Sequence, residues 1–453
     1  MTQMFALHSA YGLATAAAAI DEGLLGDAAD RVLVPFVSAQ VPETVVGIGA
    51  DPLLESLRGR FDRVEDLGAL LGARHPSDWQ PTDADLPLWE KLFTRAWGLD
   101  PDDLELFVQS PQVAPARTLL SIFPRARLSI IGDGLMTYSP MRVALGRSIA
   151  ARIGQVVYAD VVPGVRPLVG TPTATPIPVP PARFRQVLSE TDSGEPVLDV
   201  AGAALDDAVP TVLVLGQYLS ALGLLTTREE TALHRDLIDR ASSWSPQRVV
   251  FKPHPAAPPL QTDAVRERAL SRGLEFAEYR GALPAEVLAE RIDAVAVVAG
   301  FSTALPTVRA TLGIPVGSAG TVRLLAGLEP FENSNRVPLV LVDALTREDS
   351  PHGDPARLQL LIDAVGHAMQ PEIAGHLRPR AELLLRTLDA SERDRYFAPE
   401  RLSLLRLPGA PAEGPVRRML RSAGGAGRVE QWRLTVRGAR NRAGRVWRVM
   451  RGR

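Results

Sequence analysis

Short apolar runs that each stop at a small polar motif recur through this chain, and they constrain its fold more than any other feature. Leu128-Ser129-Ile130-Ile131 runs into Gly132-Asp133-Gly134, and Val249-Val250-Phe251 into Lys252-Pro253-His254-Pro255. Ala294-Val295-Ala296-Val297-Val298-Ala299 runs into Gly300-Phe301-Ser302-Thr303. Runs of this length bounded by turn residues read as buried strands, and the helical stretches between them read as crossovers of parallel sheets. Ligands of open α/β sheets bind outside the carboxyl ends of the strands. A carboxylate, an imidazole and a hydroxyl pair at three such ends are therefore expected to face one cleft.

The alternation predicts strands at Met4–Leu7, Arg31–Val37, Glu43–Gly47, Glu105–Gln109, Arg127–Ile131 and Gln155–Ala159, with helices over Ala14–Leu25 and Ala114–Phe123. Five prolines between Pro172 and Pro181 then predict an extended connector, because proline continues neither a helix nor a central strand. Strands are expected again at Thr211–Leu215, Arg248–Lys252, around Glu275, at Ala294–Val298, Val316–Gly317 and Val337–Leu341. Helices are expected over Thr227–Ser242, Pro284–Arg291 and Glu382–Arg393. The expected architecture is α/β: a Rossmann-like domain over residues 1–170, a proline-rich linker over 171–205, a second Rossmann-like domain over 206–410, and a tail over 411–453. Neither half carries the Gly-x-Gly-x-x-Gly fingerprint of dinucleotide binding or a P-loop, which argues against hydride transfer and ATP hydrolysis.

A chain of 453 residues, 46% hydrophobic and 23% charged, suits two globular domains. It has no cysteine, so disulfides, thiolate metal sites and cysteine nucleophiles are excluded. Its seven histidines form no His-x-x-x-His pair, and no built-in metal site is expected. No apolar stretch approaches the roughly 20 residues that span a bilayer. The apolar start, interrupted by His8, Ser9 and Tyr11, reads as a strand and helix rather than a signal peptide, so the body is expected in the cytoplasm.

Asp133, between two glycines, sits where the backbone turns sharply and exposes a short carboxylate able to take a proton from an attacking hydroxyl. The same residues also make an ordinary Asp-Gly turn. His254, held between Pro253 and Pro255, could protonate a departing phosphate oxygen, or be a plain loop histidine as His75 is read. Ser302 and Thr303 at a helix start suit one phosphate, and equally an N-cap. Glu286 at another helix start has the helix dipole as its plain reading. Gly134 and Gln217, at strand ends, are further cleft candidates, and Tyr138 and Arg142 are candidates to orient an acceptor or a donor carboxylate.

In this order the motifs resemble the bacterial sialyltransferases of the GT-B fold, above all the α-2,8-polysialyltransferase family. The matching stretches are Asp133–Arg142 (DGLMTYSPMR), Phe251–Pro255 (FKPHP), Leu283–Leu288 (LPAEVL) and Gly300–Leu305 (GFSTAL). The resemblance covers roughly the first 400 residues. It implies two Rossmann-like domains facing across a cleft, and inverting transfer of a sialic-acid-like or Kdo-like nonulosonic residue from a CMP-sugar to a hydroxyl of a glycan or surface polymer. Asp133 would then be the base and His254 the general acid. Lys252, Pro253 and Pro255 would lie against the cytidine, Glu286 would hold the ribose, and Ser302 and Thr303 the phosphate. No metal is expected, since CMP carries a single phosphate. These families often have two acidic residues before the glycine; here the first is Gly132. A UDP- or GDP-sugar transferase, or an inactive GT-B-like module tethering glycan to membrane, are the alternatives.

Residues 417–453 hold twelve arginines and one acid, Glu430, while the whole chain has a net charge of −2, so the body is acidic and the tail basic. Trp432, Val436, Ala439, Ala443, Val446 and Met450 fall at helical spacing among the arginines. This is the pattern of a basic amphipathic helix on an anionic membrane surface, expected at the inner membrane face with a lipid-linked or polymer acceptor. A disordered basic tail is the plain alternative. No recognisable nucleic-acid-binding fold accompanies it.

Overall fold

The computed structural model describes residues 1–37, 46–72, 74–205, 209–221, 223–254, 257 and 260–411, with the side chains of 260 and 261 excepted. The strand expected at Glu43–Gly47 falls mostly outside the described residues, and so do Pro255 and the tail.

Seven strands form the first sheet: β1 (Thr2–Leu7), β2 (Asp30–Pro35), β3 (Arg63–Val64), β4 (Leu104–Val108), β5 (Arg127–Ile131), β6 (Ile153–Ala159) and β7 (Thr175–Val179). Their order is β3-β2-β1-β4-β5-β6-β7, with every neighbouring pair parallel. Helices on both faces bury such a sheet, so its strands are apolar throughout rather than alternating. β1 shows this, with Met4, Phe5, Ala6 and Leu7 all fully buried. Phe5 and its register partner Phe107 stack with ring centroids 4.4 Å apart.

The second sheet holds β8 (Thr211–Leu215), β9 (Arg248–Lys252), β10 (Glu275–Glu278), β11 (Ala296–Ala299) and β12 (Val316–Ser318) in the order β10-β9-β8-β11-β12. In both sheets the chain lays strands to one side of the first strand and then to the other. The reversal falls between β1 and β4 in the first sheet and between β8 and β11 in the second. Such switch points open the crevice in which α/β proteins bind ligands.

The chain forms two compact units. The first takes residues 1–211 together with 279–297 and 303–316; the second takes 212–278, 298–302 and 317–453. Within the first unit, the Pro181–Ser189 helix packs against the Ala10–Asp21, Ala285–Arg291 and Ala304–Leu312 helices.

Three expectations need correction. The proline-rich segment is no free connector: Thr175–Val179 is the edge strand β7, paired with β6, and Pro180 caps the helix that follows. An edge strand leaves one row of backbone groups unpaired, which is where prolines are tolerated. Val337–Leu341 lies in the Arg336–Thr346 helix, not in a strand. Every residue from Val337 to Asp343 is buried, and a run buried on all sides carries no period by which to tell helix from strand. The helix expected over Glu382–Arg393 is two helices, Arg378–Thr387 and Ala390–Tyr396, divided where the Asp389 side chain accepts from the Glu392 backbone N–H and caps the second.

Among the described residues no helix is long and apolar enough to cross a membrane. The second unit buries His234, His352 and His367, and burial lowers each imidazole below its ordinary value. Neither ring nitrogen of His234 has a hydrogen-bond partner among the described residues. The unfolded chain therefore binds these protons first, so the stability they confer is complete above about pH 6.5 and is lost as pH falls. Melting temperature is expected to drop from pH 7.5 to pH 5, and His234→Phe is expected to flatten that slope by up to about 1.4 kcal/mol per pH unit. Melting curves of the two chains across this range provide the check.

Candidate active site

Asp133 follows β5 after Gly132 and Ser9 follows β1 after His8, while Gln109 directly follows β4 between them. The parallel order thus brings three polar residues, 24 to 124 positions apart in the chain, to one sheet edge. Ser9 Oγ lies 3.1 Å from Asp133 Oδ1. It accepts from the Gly12 backbone N–H at 3.0 Å and from Gln109 Nε2 at 2.8 Å. Gln109 Oε1 accepts from the backbone N–H groups of His8 at 3.0 Å and Ser9 at 3.2 Å. Gln109 is fully buried; Asp133 is half-buried.

His8 and Tyr11 complete this edge, and the sequence offered no sign that they belong beside Asp133. Burial lowers the His8 imidazole, against the opposing pull of the Asp133 charge, and its Nε2 lies 3.3 Å from Ser110 Oγ. Burial likewise raises the Tyr11 phenol; Glu286 and Asp133 add to the rise and the contact with Thr307 Oγ1 opposes it. Glu286 is itself buried in the first turn of its helix. A second carboxylate, Asp160, stands at the end of β6, and burial raises it.

The glycines flanking Asp133 are required by packing. Gly134 has φ +52°, and a Cβ there would lie 2.5 Å from Thr303 Cγ2. Thr303 Oγ1 in turn accepts from the Leu135 backbone N–H at 3.4 Å. Thr303 stands at the N-cap position of the Ala304–Leu312 helix without a side-chain capping bond. Its hydroxyl faces the Asp133 turn instead, which sets aside the plain N-cap reading for this residue. A Cβ on Gly132 would lie 2.7 Å from Thr137 Oγ1 and 2.9 Å from Tyr158 Cβ. Thr137 Oγ1 is already engaged by the Asp133 backbone N–H at 2.8 Å. A side chain at position 132 would force Thr137 or Tyr158 to move, so the missing first acid goes with close local packing.

Tyr138 is fully buried, edge-on to Tyr158, and burial raises its phenol well above its ordinary value. Burial, with Asp160 second, pushes Tyr158 up to about 12. Tyr138 is therefore a packing group that no ligand reaches without rearrangement. Arg142 is exposed, and its backbone N–H donates to Gln112 Oε1 at 2.6 Å.

In the second unit, His254 follows Pro253 after β9, with Lys252 half-buried, Pro253 buried and His254 partly exposed. Gly216, at the end of β8, lets this turn approach: a Cβ there would meet Phe251 Cζ at 2.7 Å and Pro253 Cα at 3.1 Å. Partial burial lowers the His254 imidazole, opposed by the Glu230 charge. Glu230 is fully buried and accepts from the backbone N–H groups of Leu219 and Ser220. Gln217, a cleft candidate by sequence, has its Oε1 on the Phe301 backbone N–H at 2.7 Å, the residue before Ser302. It anchors the hydroxyl-bearing loop across the second switch point. Pro255 lies outside the described residues.

A family model for alpha-2,8-polysialyltransferase (POLYST) matches residues 3–321. This chain belongs to the alpha-2,8-polysialyltransferase family. Membership makes it a glycosyltransferase, and the two parallel α/β sheets are the parts from which a GT-B enzyme is built. No curated protein matches the sequence. Among solved structures, the chain is similar to a UDP-GlcNAc 2-epimerase from Neisseria meningitidis bound to UDP-GlcNAc, at 12% identity and TM-score 0.43, over 85% of this chain and 99% of that one. It is also similar to a glycosyltransferase from Rickettsia africae, at 11% identity and TM-score 0.36, over 87% and 98%.

Two substitutions test the glycine geometry. Gly134→Ala is expected to cost about 1–3 kcal/mol of stability, from its left-handed backbone and the contact with Thr303. Gly132→Asp, which restores the acidic pair by sequence, is expected to cost about 1–3 kcal/mol by overpacking and to gain no activity. Denaturant unfolding and transfer assays read both; a Gly132→Asp chain of unchanged stability would show that the site has room.

Proposed function

We propose that this polysialyltransferase-family protein transfers a nonulosonic residue from a CMP-sugar to a hydroxyl of a glycan or surface polymer, with inversion at the anomeric carbon. The observation that carries this reading is the contact of Thr303 with Gly134 and Leu135, which joins the hydroxyl pair's segment to the turn that bears Asp133.

In this reading Asp133 takes the proton of the acceptor hydroxyl as that oxygen attacks the anomeric carbon. The bond to the CMP phosphate oxygen breaks through an oxocarbenium-like state. Ser302 and Thr303 bind the phosphate, Glu286 the ribose, and the Lys252–Pro255 segment the cytidine. His254 delivers a proton or hydrogen bond to the departing phosphate. Its lowered pKa makes it neutral at pH 7 in the free enzyme. A bound phosphate adds negative charge, which favours the imidazolium. One phosphate has one negative group to satisfy, so a bridging metal is not part of this proposal. The tail over residues 417–453 would hold the enzyme at an anionic membrane surface near its acceptor.

Thermal-shift binding tests the donor class first, since a ligand at 100 times its Kd stabilises by about 2.7 kcal/mol. CMP is expected to raise the melting temperature with or without Mg²⁺, and changing Ser302 and Thr303 together to Ala to abolish the effect. A shift with UDP or GDP alone would overturn the donor; none with any nucleotide would favour a tethering module. Asp133→Ala is expected to lower transfer roughly 10²- to 10⁴-fold. The pH profile adds a check on His254: the basic limb of kcat/KM, which reports the free enzyme, is expected below about pH 6.5, and that of kcat at higher pH.

A further inference from the structure

We propose that Ser9 and Gln109 are positioning residues for Asp133, fixing which carboxylate oxygen is occupied and leaving the other for the acceptor hydroxyl. This inference rests on the reading of Asp133 as the base.

Donor and acceptor capacity decides the direction of every bond in the chain. The backbone N–H groups of His8 and Ser9 can only donate, so the side-chain atom of Gln109 that meets them must be the carbonyl oxygen. That fixes the amide orientation and turns the Nε2 group toward Ser9, 2.8 Å away. A serine hydroxyl has one hydrogen and two lone pairs. Gln109 Nε2 and the Gly12 backbone N–H are both donors and fill the two lone pairs. The one hydrogen left on Ser9 therefore points at Asp133 Oδ1.

Among the described residues Ser9 is the one hydrogen-bond partner of that carboxylate. Oδ1 is held and Oδ2 is open. The backbone of the turn is fixed independently, through the Asp133 N–H on Thr137 Oγ1 and the glycines on either side. What remains to be set is the carboxylate's rotation, and the Ser9 hydroxyl sets it. Ser9 is rigid in turn because it is the N-cap of the twelve-residue Ala10–Asp21 helix, and Gln109 because it is fully buried at the end of β4. The line from β4 through Gln109 and Ser9 to Asp133 is thus built from three strand ends and one helix start.

Two variants separate positioning from folding. Glycine is nearly as good an N-cap as serine, so Ser9→Gly removes the hydroxyl but keeps the helix start; the chain should still fold, with a melting temperature a few degrees lower because Gln109 Nε2 loses its acceptor. Gln109→Glu keeps an acceptor for the His8 and Ser9 N–H groups but cannot donate to Ser9, which frees that hydroxyl to turn away from Asp133. The assay uses CMP-N-acetylneuraminate with an α-2,8-linked oligosialic acid acceptor. Each variant is expected to lose roughly 10- to 100-fold in kcat, as small misplacements of a reacting group do, with donor KM unchanged. Ser9→Thr, which keeps the hydroxyl, should recover most of the rate. Ser9→Gly with wild-type kcat, beside an inactive Asp133→Ala, overturns the positioning role alone. A wild-type chain without transfer, or an active Asp133→Ala, overturns the base reading and this inference with it.

Discussion

Two amide side chains, Gln109 fully buried and Gln217 half-buried, stand at the points where the strand order reverses, and the loops just past the strand ends depend on them. At a reversal, neighbouring strands send their connections to opposite sides, so the backbone N–H groups just past the strand ends have no ladder to join. A buried N–H without a partner costs about 1–3 kcal/mol. In the first sheet Gln109 takes up the His8 and Ser9 N–H groups; in the second Gln217 takes up that of Phe301. Each amide is given room by a glycine: a side chain at Gly12 would overlap Gln109, and one at Gly300 would meet Gln217 Oε1 at 2.8 Å. The residues with chemistry to offer, Ser9 and Ser302, are carried on the loops these amides hold.

The charge states around Asp133 follow from the same enclosure. Burial keeps the neighbouring His8 neutral and the Tyr11 phenol protonated. The His8 ring therefore adds no cation beside the carboxylate, and the Tyr11 phenol no anion. At the His254 site burial again favours the neutral ring, and the buried Glu230 works against it. Desolvation thus sets the resting protonation of both histidines, and a charged ligand is the natural agent to change it.

The parts of this arrangement that are local in the chain were legible in the sequence. β5, β8 and β9 begin and end where the apolar runs do, because flanking polar and turn residues bound each run. β3, only two residues long, offers no periodicity to read, and β7 was hidden by prolines that an edge strand accepts. The Ser9–Gln109–Asp133 contacts could not be read at all. Ser9 looks like a helix cap and Gln109 like the end of a strand, and both descriptions are true. Only the strand order, which is a long-range property, shows that Gln109 meets Ser9 and that Ser9 meets Asp133, 124 residues further along the chain. The acidic residue absent at position 132 was legible as a departure, but the close packing of Thr137 and Tyr158 against that glycine was not.

The interleaving of the two units bears on how the chain is made. The Pro181–Ser189 helix buries Phe184, Val187 and Leu188, and its neighbours include helices from residues 279–297 and 303–316. While a ribosome is still extending the chain, the first sheet can form once β7 has emerged, yet its unit lacks two covering helices until roughly 100 further residues are added, about 5–20 s at ordinary elongation rates. Throughout that interval an apolar helix face waits uncovered, and the polypeptide that will cover it has not yet been synthesised. Completing the first unit therefore has to wait for translation of these segments, so pauses between codons 211 and 316 would lengthen the exposure of nascent chains to chaperones and proteases.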